Sequence, residues 1–314
     1  MEELMTKVPV VFCFDDNLLM PAGVCISSLL QHARAQTFYD IFILHATDCR
    51  YPQSGFLEQL HLRYTNFRIT YKDVGTIFCD AFEIRNITIA AYYRLLIPKL
   101  IKEYDVVMYH DIDIIFRDDL SDIFFSTDMS SCYVAGVNFA GAMGKEGKQY
   151  INNLGLDWKN YILSGDLILN LALLREDHIV PLFEREVNQS QYIYQDMDII
   201  NIVCKGKIKR LPPVFCGSLE IFELASKKIE QPLYTQQELQ DVLLHGIVHY
   251  NGVKPWETVC PNMDIWWECY RKSIYYNPQF HFDFFCNKLD DYDRLSLWRR
   301  VKILSRYFTK GKIK

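Results

Sequence analysis

No uninterrupted apolar stretch in this sequence approaches the roughly 18 to 20 residues that a helix needs to cross a bilayer. The chain also lacks a Gly/Ser-rich linker, an internal repeat and a low-complexity tract. Its first residues, MEELMTKVPVVFCF, are acidic, unlike the basic, apolar and small-residue order of a secretory signal. Of its 314 residues 50% are apolar and 23% charged, so we expect a globular protein of one large domain or two ordinary ones.

A strong excess of positive charge is missing as well. The formal net charge is −5 and the isoelectric point is near 5.9, which argues against a dedicated nucleic-acid-binding protein. This average conceals an asymmetry, because residues 294–314 contain eight Lys and Arg and no Asp or Glu. Removing those eight positive charges from the net −5 leaves −13 on the first 293 residues.

The sequence has no Cys-x-x-Cys pair. Its ten cysteines are scattered along the chain, and several lie within apolar runs. This distribution favours reduced thiols packed in a core, and hence a cytosol-like compartment, over a disulfide framework.

Short β-type runs alternate with helical stretches in the first part of the chain. The predicted strands cover residues 8–14, 39–45, 67–73 and 105–109, and the predicted helices cover residues 20–32, 54–64 and 89–100. This βαβα order predicts an α/β fold with a mostly parallel sheet flanked by helices. Because such sheets bind ligands beyond the carboxyl ends of their strands, we expect functional residues where the predicted strands end.

Two aspartates follow the predicted strand at 105–109. In an extended chain residues i and i+2 project from the same face, so Asp111 and Asp113 can reach one point. Two like charges there are costly unless a cation or a proton neutralises them. Carboxylate oxygens suit Mg²⁺ or Mn²⁺, and a nearby imidazole favours Mn²⁺. The alternative, an exposed turn with helix-capping aspartates, is preferred for Asp118 and Asp119.

A second candidate ion-binding segment reads LLHGIVHYNGVKPW. His249 ends a strand-like run, whereas we interpret His245 as structural. Gly252 would let backbone N–H groups approach an anion, and Lys254 is a mobile point charge suited to phosphate. A lone histidine is more often a core residue than a ligand, but together with the two aspartates this segment predicts a metal and a diphosphate in one site.

The first predicted strand ends in FCFDDN. Asp15 or Asn17 could accept a hydrogen bond from uracil N3–H or from a ribose hydroxyl. An equally good interpretation is that these residues form an Asx-turn and cap a helix. No G-x-G-x-x-G follows this strand and no G-x-x-x-x-G-K-[ST] occurs anywhere, so dinucleotide-binding and P-loop sites lose support.

The C-terminal part has a different character. Aromatic residues are dense between 261 and 285, which predicts helices packed on the sheet domain, with a sugar-stacking platform as the alternative. Further on, four apolar residues fall on one stripe of a helix that is otherwise basic: Leu297, Val301, Leu304 and Phe308. With Trp298 beside them, they favour a helix that lies on an anionic membrane, and docking on the acidic body is the alternative.

Five sequence blocks carry a resemblance to a known family: FCFDDN, ITIAAYYRLLIP, YHDIDIIF, YQDMDIIN and HYNGVKPW. In order and spacing they resemble glycosyltransferase family 8, in particular bacterial lipopolysaccharide α-galactosyl- and α-glucosyltransferases, over about residues 8–260. The resemblance implies a GT-A fold, a UDP-sugar donor, a Mn²⁺ (or Mg²⁺) cofactor and retention of the anomeric configuration. It suggests a GT-A domain at 1–260 and a helical, aromatic-rich extension at 261–314 that ends in the basic tail.

The resemblance also implies roles for single residues. The metal ligands would be Asp111, Asp113 and His249. The uridine contacts would be Asp15 and Asn17, with Ile112 close to the ribose, and the diphosphate contacts would be Gly252 and Lys254. The residues near the donor-sugar hydroxyls would be Arg94, Asp196 and, by a looser match, Asn138. Without the resemblance, Arg94 would be read as a surface arginine or as an ion-pair partner of Asp196 or Asp198.

Three departures from the family pattern are visible. Met197 stands where the family usually has Gln, which favours front-face substitution without a side-chain carbonyl beneath the anomeric carbon. The block Leu163-Ser164-Gly165-Asp166 replaces NAGV-like residues, so that Ser164 and Asp166 are expected to contact the sugar. The spacing from His249 to Lys254 is one residue shorter than in many relatives.

These expectations point to a metal-dependent, retaining hexosyltransferase that moves galactose or glucose from a UDP-sugar to a lipopolysaccharide or other surface-glycan acceptor. It would work in the cytoplasm, peripherally on the inner face of the membrane. The alternatives are a protein (adhesin) glycosyltransferase, a metal phosphoesterase and a catalytically silent UDP-sugar-binding protein. Met197 and the altered Leu163-Ser164-Gly165-Asp166 block motivate the silent alternative.

Overall fold

The computed structural model describes residues 5–83, 88–293 and 296–309. Its strands are β1 (Thr6–Cys13), β2 (Thr37–His45), β3 (Phe67–Asp73), β4 (Val106–His110), β5 (Ile114–Phe116), β6 (Val134–Asn138), β7 (Ile162–Asn170), β8 (Ile208–Arg210) and β9 (Ile247–His249). Its helices are α1 (Leu19–Gln31), α2 (Ile97–Leu100), α3 (Ser121–Ser126), α4 (Lys145–Asn153), α5 (Leu171–Glu176), α6 (Val180–Gln189), α7 (Gln195–Val203), α8 (Leu219–Lys227), α9 (Gln236–Leu244), α10 (Met263–Lys272), α11 (Pro278–Asp293) and α12 (Leu297–Thr309).

The central sheet has seven strands in the order β3-β2-β1-β4-β7-β6-β8. Strand β7 runs antiparallel to β4 and β6, and the other neighbouring strands are parallel. The order reverses between β1 and β4, and at such a point a crevice opens beyond the carboxyl ends of the strands. A separate antiparallel ribbon of β5 and β9 pairs Ile114 with His249. The predicted mostly parallel sheet with flanking helices is confirmed.

Apolar side chains cover both faces of the sheet. In β1, Val10 and Phe12 belong to one buried cluster and Val11 to another, so the strand reads as a continuous apolar run, as expected for a parallel strand buried on both sides. Trp266 and Tyr270 of α10 lie in the same cluster as Val10 and Phe12. The aromatic segment thus packs on the sheet, as predicted, and the core continues across residue 260.

Two predicted helices take other forms. Residues 54–64 contain only a 3-10 turn, Leu57–Leu62, because Gly55 has φ +67°, a left-handed conformation that interrupts any helix continuing from residue 51. Residues 89–100 begin as a 3-10 turn, Ile89–Leu96, and become α2 where Pro98 occupies the first helical turn.

The tail contains the predicted helix, α12. Its apolar side chains are exposed, among them Leu297, Trp298 and Leu304, so the described part of the tail is not docked through its apolar stripe on the body of the protein. Residues 294, 295 and 310–314, which include half of the eight basic residues, lie outside the described residues. Across the described parts of the chain, we find no helix with the length and apolar character needed to span a membrane.

Candidate functional site

Asp111 and Asp113 lie in the crevice immediately after β4. Tyr109, the residue before the last of the strand, donates its hydroxyl hydrogen to Asp111 Oδ1 over 2.6 Å. The Asp111 backbone N–H donates to Gly165 O (2.7 Å), and Asp113 O accepts from Tyr250 N–H (2.9 Å). These contacts fix the backbone on both sides of the pair, while a quarter of the Asp111 side chain stays exposed.

His249, at the end of β9, meets both aspartates. Its Nε2 lies 3.4 Å from Asp113 Oδ1 and 3.8 Å from Asp111 Oδ2. One ligand atom from each of the three residues lies within 4.8 Å of the other two. Two carboxylates and one imidazole are a donor set that suits Mn²⁺ or Mg²⁺, so these residues fit the implied metal. We call them the candidate metal site.

The two carboxylates differ electrostatically. Burial raises the pKa of Asp111, and the negative charge of the neighbouring Asp113 raises it further. Arg94 opposes this shift, but the pKa of Asp111 stays above its usual range. Burial also disfavours the charge of Asp113, but Lys254 and His249 outweigh it and hold the pKa of Asp113 well below its usual range. Asp113 is therefore ionised. The charged form of Asp111, which lies beside it, would be stabilised by an added cation.

Arg94 is a buried cation at the edge of this site. Its Nε donates to Ala91 O (2.8 Å) and its Nη1 to Ser164 O (2.7 Å). Its Nη2 lies 2.9 Å from Asp111 Oδ1, and its Nε lies 3.3 Å from Asp196 Oδ2. Burial alone would lower the pKa of Arg94, but these two carboxylates raise it. The structure thus contains the ion pair with Asp196 that the sequence offered as the alternative role of Arg94.

Strand β7 supplies three consecutive residues to the site. The Ser164 carbonyl holds Arg94, as described above. A Cβ atom at Gly165 would overlap the His249 ring and lie 2.7 Å from Asp111 Oδ2, so only glycine fits there. Asp166 is completely buried, and its carboxylate accepts from His110 Nδ1 (2.6 Å) and His249 Nδ1 (3.0 Å).

The expected sugar contact of Asp166 is therefore revised. Both of its carboxylate oxygens bond imidazole rings behind the candidate metal site, and none of its surface is exposed. The reason is its register, because Asp166 stands directly opposite His110 in the antiparallel β4–β7 pair. Ser164 lies next to Asp196, and its hydroxyl lowers the pKa of that carboxyl, which burial raises. The sugar contact of Ser164 stays a prediction.

Two buried oxygen atoms near the site lack hydrogen-bond partners among the described residues. They are Asn138 Oδ1 and Asp196 Oδ2, and the second still has its ion-pair contact with Arg94 Nε. Asn138 ends β6 and donates its Nδ2 hydrogen to Lys159 O (2.6 Å), so its free acceptor is held in one direction. Met197, next to Asp196 in α7, is nearly buried and packs in the apolar core, where it offers no carbonyl oxygen from its side chain.

The remaining predicted contacts lie around the same crevice. Asp15 accepts from Asn17 N–H (2.9 Å) and caps a 3-10 turn, which is the structural alternative foreseen for this pair. Ile112 is buried in the core between the two aspartates. Lys254 donates to Asp113 and to Tyr250 O. A side chain at Gly252 would meet open space.

Sequence reasoning missed two residues of the site. His110 directly precedes Asp111 and is buried against Phe116 and Phe215. Cys216 Sγ lies 3.3 Å from His249 Nδ1. The signal for His110 was present, because an ionisable residue inside an apolar strand requires a buried partner. Cys216 carried no such signal, since apolar runs contain cysteine routinely.

Known proteins with similar sequences include several glycosyltransferases. Over 187 residues the chain is 28% identical to glycosyltransferase GlyB of Streptococcus pneumoniae, a match that covers 59% of this chain and 43% of GlyB. The chain thus spans less than half the length of that relative. It is 25% identical over 276 residues to lipopolysaccharide 1,2-glucosyltransferase of Escherichia coli, which covers 85% of this chain and 75% of that protein.

The fold and the family model agree with these relatives. The galactosyltransferase LgtC, solved with donor and acceptor sugar analogues, superposes with a TM-score of 0.70 at 23% identity, covering 87% of this chain and 99% of LgtC. This likeness confirms the GT-A fold that the sequence led us to expect. The model of the family described as "Glycosyl transferase family 8" matches residues 9–260, from β1 to beyond β9. This chain therefore belongs to glycosyltransferase family 8.

Proposed function

We propose that this protein is a metal-dependent, retaining hexosyltransferase that moves galactose or glucose from a UDP-sugar to a lipopolysaccharide or other surface-glycan acceptor. The observation that carries the proposal is the convergence of Asp111, Asp113 and His249 in the crevice between β1 and β4. These residues are 138 positions apart at most, and only the fold brings them within coordination distance. Membership of the family and the similarity to a lipopolysaccharide glucosyltransferase support the chemistry.

The candidate metal site would hold Mn²⁺ or Mg²⁺. When bound, the ion would neutralise the charge that develops on the UDP diphosphate as it leaves the sugar. Lys254 would contribute further positive charge to the diphosphate, since its long, flexible stem lets the ammonium group move from Asp113 to a phosphate oxygen. Gly252, with open space beside it, lets an anion approach the backbone of the same turn.

The donor sugar would be oriented from one side by Arg94, Asp196 and Asn138. Arg94 is held at several of its nitrogen atoms and is therefore pre-organised, which reduces the entropy lost when it donates to a sugar hydroxyl. Asn138 Oδ1 has no hydrogen-bond partner among the described residues, and Asp196 Oδ2 has only its ion pair with Arg94, so both would accept hydrogen bonds from hydroxyl groups. Binding of the sugar would thus satisfy buried polar atoms that otherwise carry a desolvation cost.

Met197 favours substitution on the front face of the sugar. In this step the bond between C1 and the phosphate oxygen breaks while the acceptor oxygen bonds to C1 from the same side. The acceptor proton passes to the departing phosphate, so no protein nucleophile is required. Met197 is nearly buried and apolar, and its role would be to exclude water from the reacting carbon.

The direct test is UDP release from a panel of UDP-hexoses with Mn²⁺ present. We expect release from UDP-galactose or UDP-glucose, its loss on chelation with EDTA, and a decrease of at least about 100-fold in Asp113→Ala, because removal of a ligand costs more than the 10- to 100-fold typical of outer-shell partners. Asp122→Ala is the matched control, since Asp122 is an exposed carboxylate paired with Arg34. Equal activity of Asp113→Ala and the control would contradict the site assignment.

The same assay separates the alternatives. Binding of UDP-sugars without release from any of them would identify a catalytically silent binding protein, which is the alternative that the buried Met197 favours. Hydrolysis of simple phosphate esters would identify a phosphoesterase instead. Activity on a protein acceptor but not on glycans would identify a protein glycosyltransferase.

We further propose that the protein works on the cytoplasmic face of the membrane, to which α12 attaches it. The helix exposes Leu297, Trp298 and Leu304, and its basic residues Arg299 and Lys302 are also exposed. A helix with a stripe of apolar side chains and with basic residues beside it can bind an anionic lipid surface. A lipid-linked acceptor would then be presented at that surface.

A further inference from the structure

A buried carboxylate lies between two histidines directly behind the candidate metal site. Asp166 Oδ1 accepts from His110 Nδ1 over 2.6 Å, and Oδ2 accepts from His249 Nδ1 over 3.0 Å. No part of Asp166 is exposed, and His110 and His249 are also buried. Because both carboxylate oxygens bond an imidazole, the Asp166 side chain is fixed in one orientation.

The other nitrogen of His249 faces the aspartates. With Nδ1 donating its hydrogen to Asp166, the neutral ring carries its lone pair on Nε2, the atom closest to Asp113 Oδ1 and Asp111 Oδ2. We infer that Asp166 is a positioning residue that fixes the tautomer and the ring orientation of His249 for metal binding through Nε2. The inference rests on the proposed metal site and adds to it a carboxylate that does not touch the ion or the substrate.

The surroundings of the ring support this role. Gly165, the neighbour of Asp166, leaves the space that the His249 ring occupies, and a Cβ atom there would overlap it. His110 supplies the second hydrogen bond to Asp166 from the adjacent strand, where it is packed between aromatic rings. The three residues thus form a rigid support, and a carboxylate–histidine pair of this kind raises the ligand basicity of the imidazole.

A second arrangement of ligands shares His249. Asp166, Cys216 and His249 Nδ1 also lie within 4.8 Å of one another and could in principle hold an ion on the other side of the ring. Asp166 is already bonded to His110, and Asp166 and Cys216 have no exposed surface. Asp111, in contrast, keeps a quarter of its side chain exposed. The open face of the ring is therefore the metal-binding face.

The test is Mn²⁺ binding, followed by the electron paramagnetic resonance of the free ion and without any sugar donor. For Asp166→Val we expect the Kd to rise 10- to 100-fold, as is typical for loss of an outer-shell partner. The Kd of Asp166→Asn should rise less, because the amide oxygen of asparagine can still accept a hydrogen bond from His249. The matched control is Asp40→Asn, a fully buried carboxylate that bonds Arg68 and Tyr104 toward the other end of the sheet, and it should leave the Kd unchanged.

The outcomes are distinct. If the wild-type protein binds Mn²⁺ and Asp113→Ala abolishes binding, but both Asp166 variants bind within threefold of wild type, the inference is wrong and the proposed metal site stands. If Cys216→Ala abolishes binding, the ion lies on the Nδ1 side and the inference is also wrong. If Asp166→Val does not fold, the ¹⁵N measurement on the unaltered protein decides. Wild-type protein that binds no Mn²⁺ overturns both the metal site and the inference.

A measurement on the unaltered protein gives an independent answer. In protein with ¹⁵N-labelled histidine and saturating Mg²⁺, we expect the spectrum of His249 to show a protonated Nδ1 and an unprotonated Nε2. The opposite tautomer would contradict the inference. His110 serves as an internal reference, because its Nδ1 also donates to Asp166.

Discussion

Gly165 is the residue on which the compactness of the candidate site depends. Any side chain at this position would overlap the His249 ring, which cannot retreat because Asp166 holds its far side. The ring and the Asp111 carboxylate therefore share the space next to a bare backbone. Gly165 therefore has a steric reason, namely the close approach of the His249 imidazole to strand β7.

We predict that Gly165→Ala reduces Mn²⁺ affinity and UDP release by about 100-fold or more, the upper end of the loss for a misoriented ligand. The far-UV circular dichroism should stay unchanged, because the methyl group displaces a side chain at the end of a ribbon rather than a strand of the core. Gly144→Ala is the matched control, since a Cβ atom there meets no neighbour. Equal losses in both variants, or none in Gly165→Ala, would contradict the prediction.

At the residue scale, spacing pointed to Asp111 and Asp113 as a pair, and the family resemblance added His249 as the third candidate metal ligand. Asp111 and Asp113 follow a strand with the alternation of an extended chain, and His249 ends another strand. The direction of Asp166 could not be predicted, because it depends on which residue of β4 stands opposite it, and sequence patterns do not fix the pairing of distant strands. In the proposed reaction, the hexose, the acceptor and the linkage would be set by the shape of the pocket, which sequence patterns do not reveal.

At the scale of elements, the ribbon of β5 and β9 brings two of the candidate metal ligands together at one of its ends. Asp113 directly precedes β5, and His249 closes β9 opposite Ile114. The ribbon is tied to helix α9 by Arg117, which donates to Val242 O (2.7 Å), Leu243 O (3.1 Å) and Gly246 O (3.2 Å). These carbonyls at and just beyond the end of α9 would otherwise lack partners within the helix.

We predict that Arg117→Met lowers the free energy of unfolding by about 2 kcal/mol, because a charged donor to several carbonyl groups is lost. The measurement is urea unfolding followed by tryptophan fluorescence. Arg34→Met is the control, as Arg34 forms only an exposed pair with Asp122 through its side chain and should change stability much less. If Arg117→Met is as stable as the control, the ribbon is anchored by its apolar contacts instead.

The elements themselves could be predicted to different degrees. The strands at 39–45 and 67–73 were predicted correctly, because these short segments are rich in β-branched and aromatic residues. The segment at 54–64 was harder, because its apolar spacing is helical while Gly55 adopts a left-handed backbone that local pattern does not reveal. The 3-10 turn at Ile89–Leu96 was missed for a similar reason, since 3-10 and α-helical spacings differ little over eight residues.

At the scale of the whole molecule, charge is divided between an acidic body and a basic tail. The body carries −13 and the tail +8, and the structure leaves the apolar side chains of α12 exposed rather than docked. An exposed tryptophan beside four exposed aliphatic residues marks a surface that a partner or a membrane would cover. The proposed membrane surface would cover them and offer the opposite charge.

We predict that deletion of residues 294–314 lowers the affinity for phosphatidylglycerol vesicles at least about 100-fold, since each basic residue near an anionic surface contributes about 1 kcal/mol. Vesicle co-sedimentation measures this, and neutral phosphatidylcholine vesicles are the control. UDP release from soluble donor should be unaffected, because the tail lies beyond the residues that form the candidate site. Unchanged sedimentation together with loss of folding would show that the tail is structural.

The three consecutive residues of β7 have a consequence for protein engineering. The carbonyl of Ser164 accepts from Arg94, and Gly165 faces the ring of His249. Asp166 bonds that ring and the ring of His110. Gly165 and Asp166 act on the same His249 ring, so we expect most single substitutions at these two positions to weaken the candidate metal site. Efforts to alter donor preference should therefore keep this tripeptide constant and diversify the walls around Asn138 and Met197 instead.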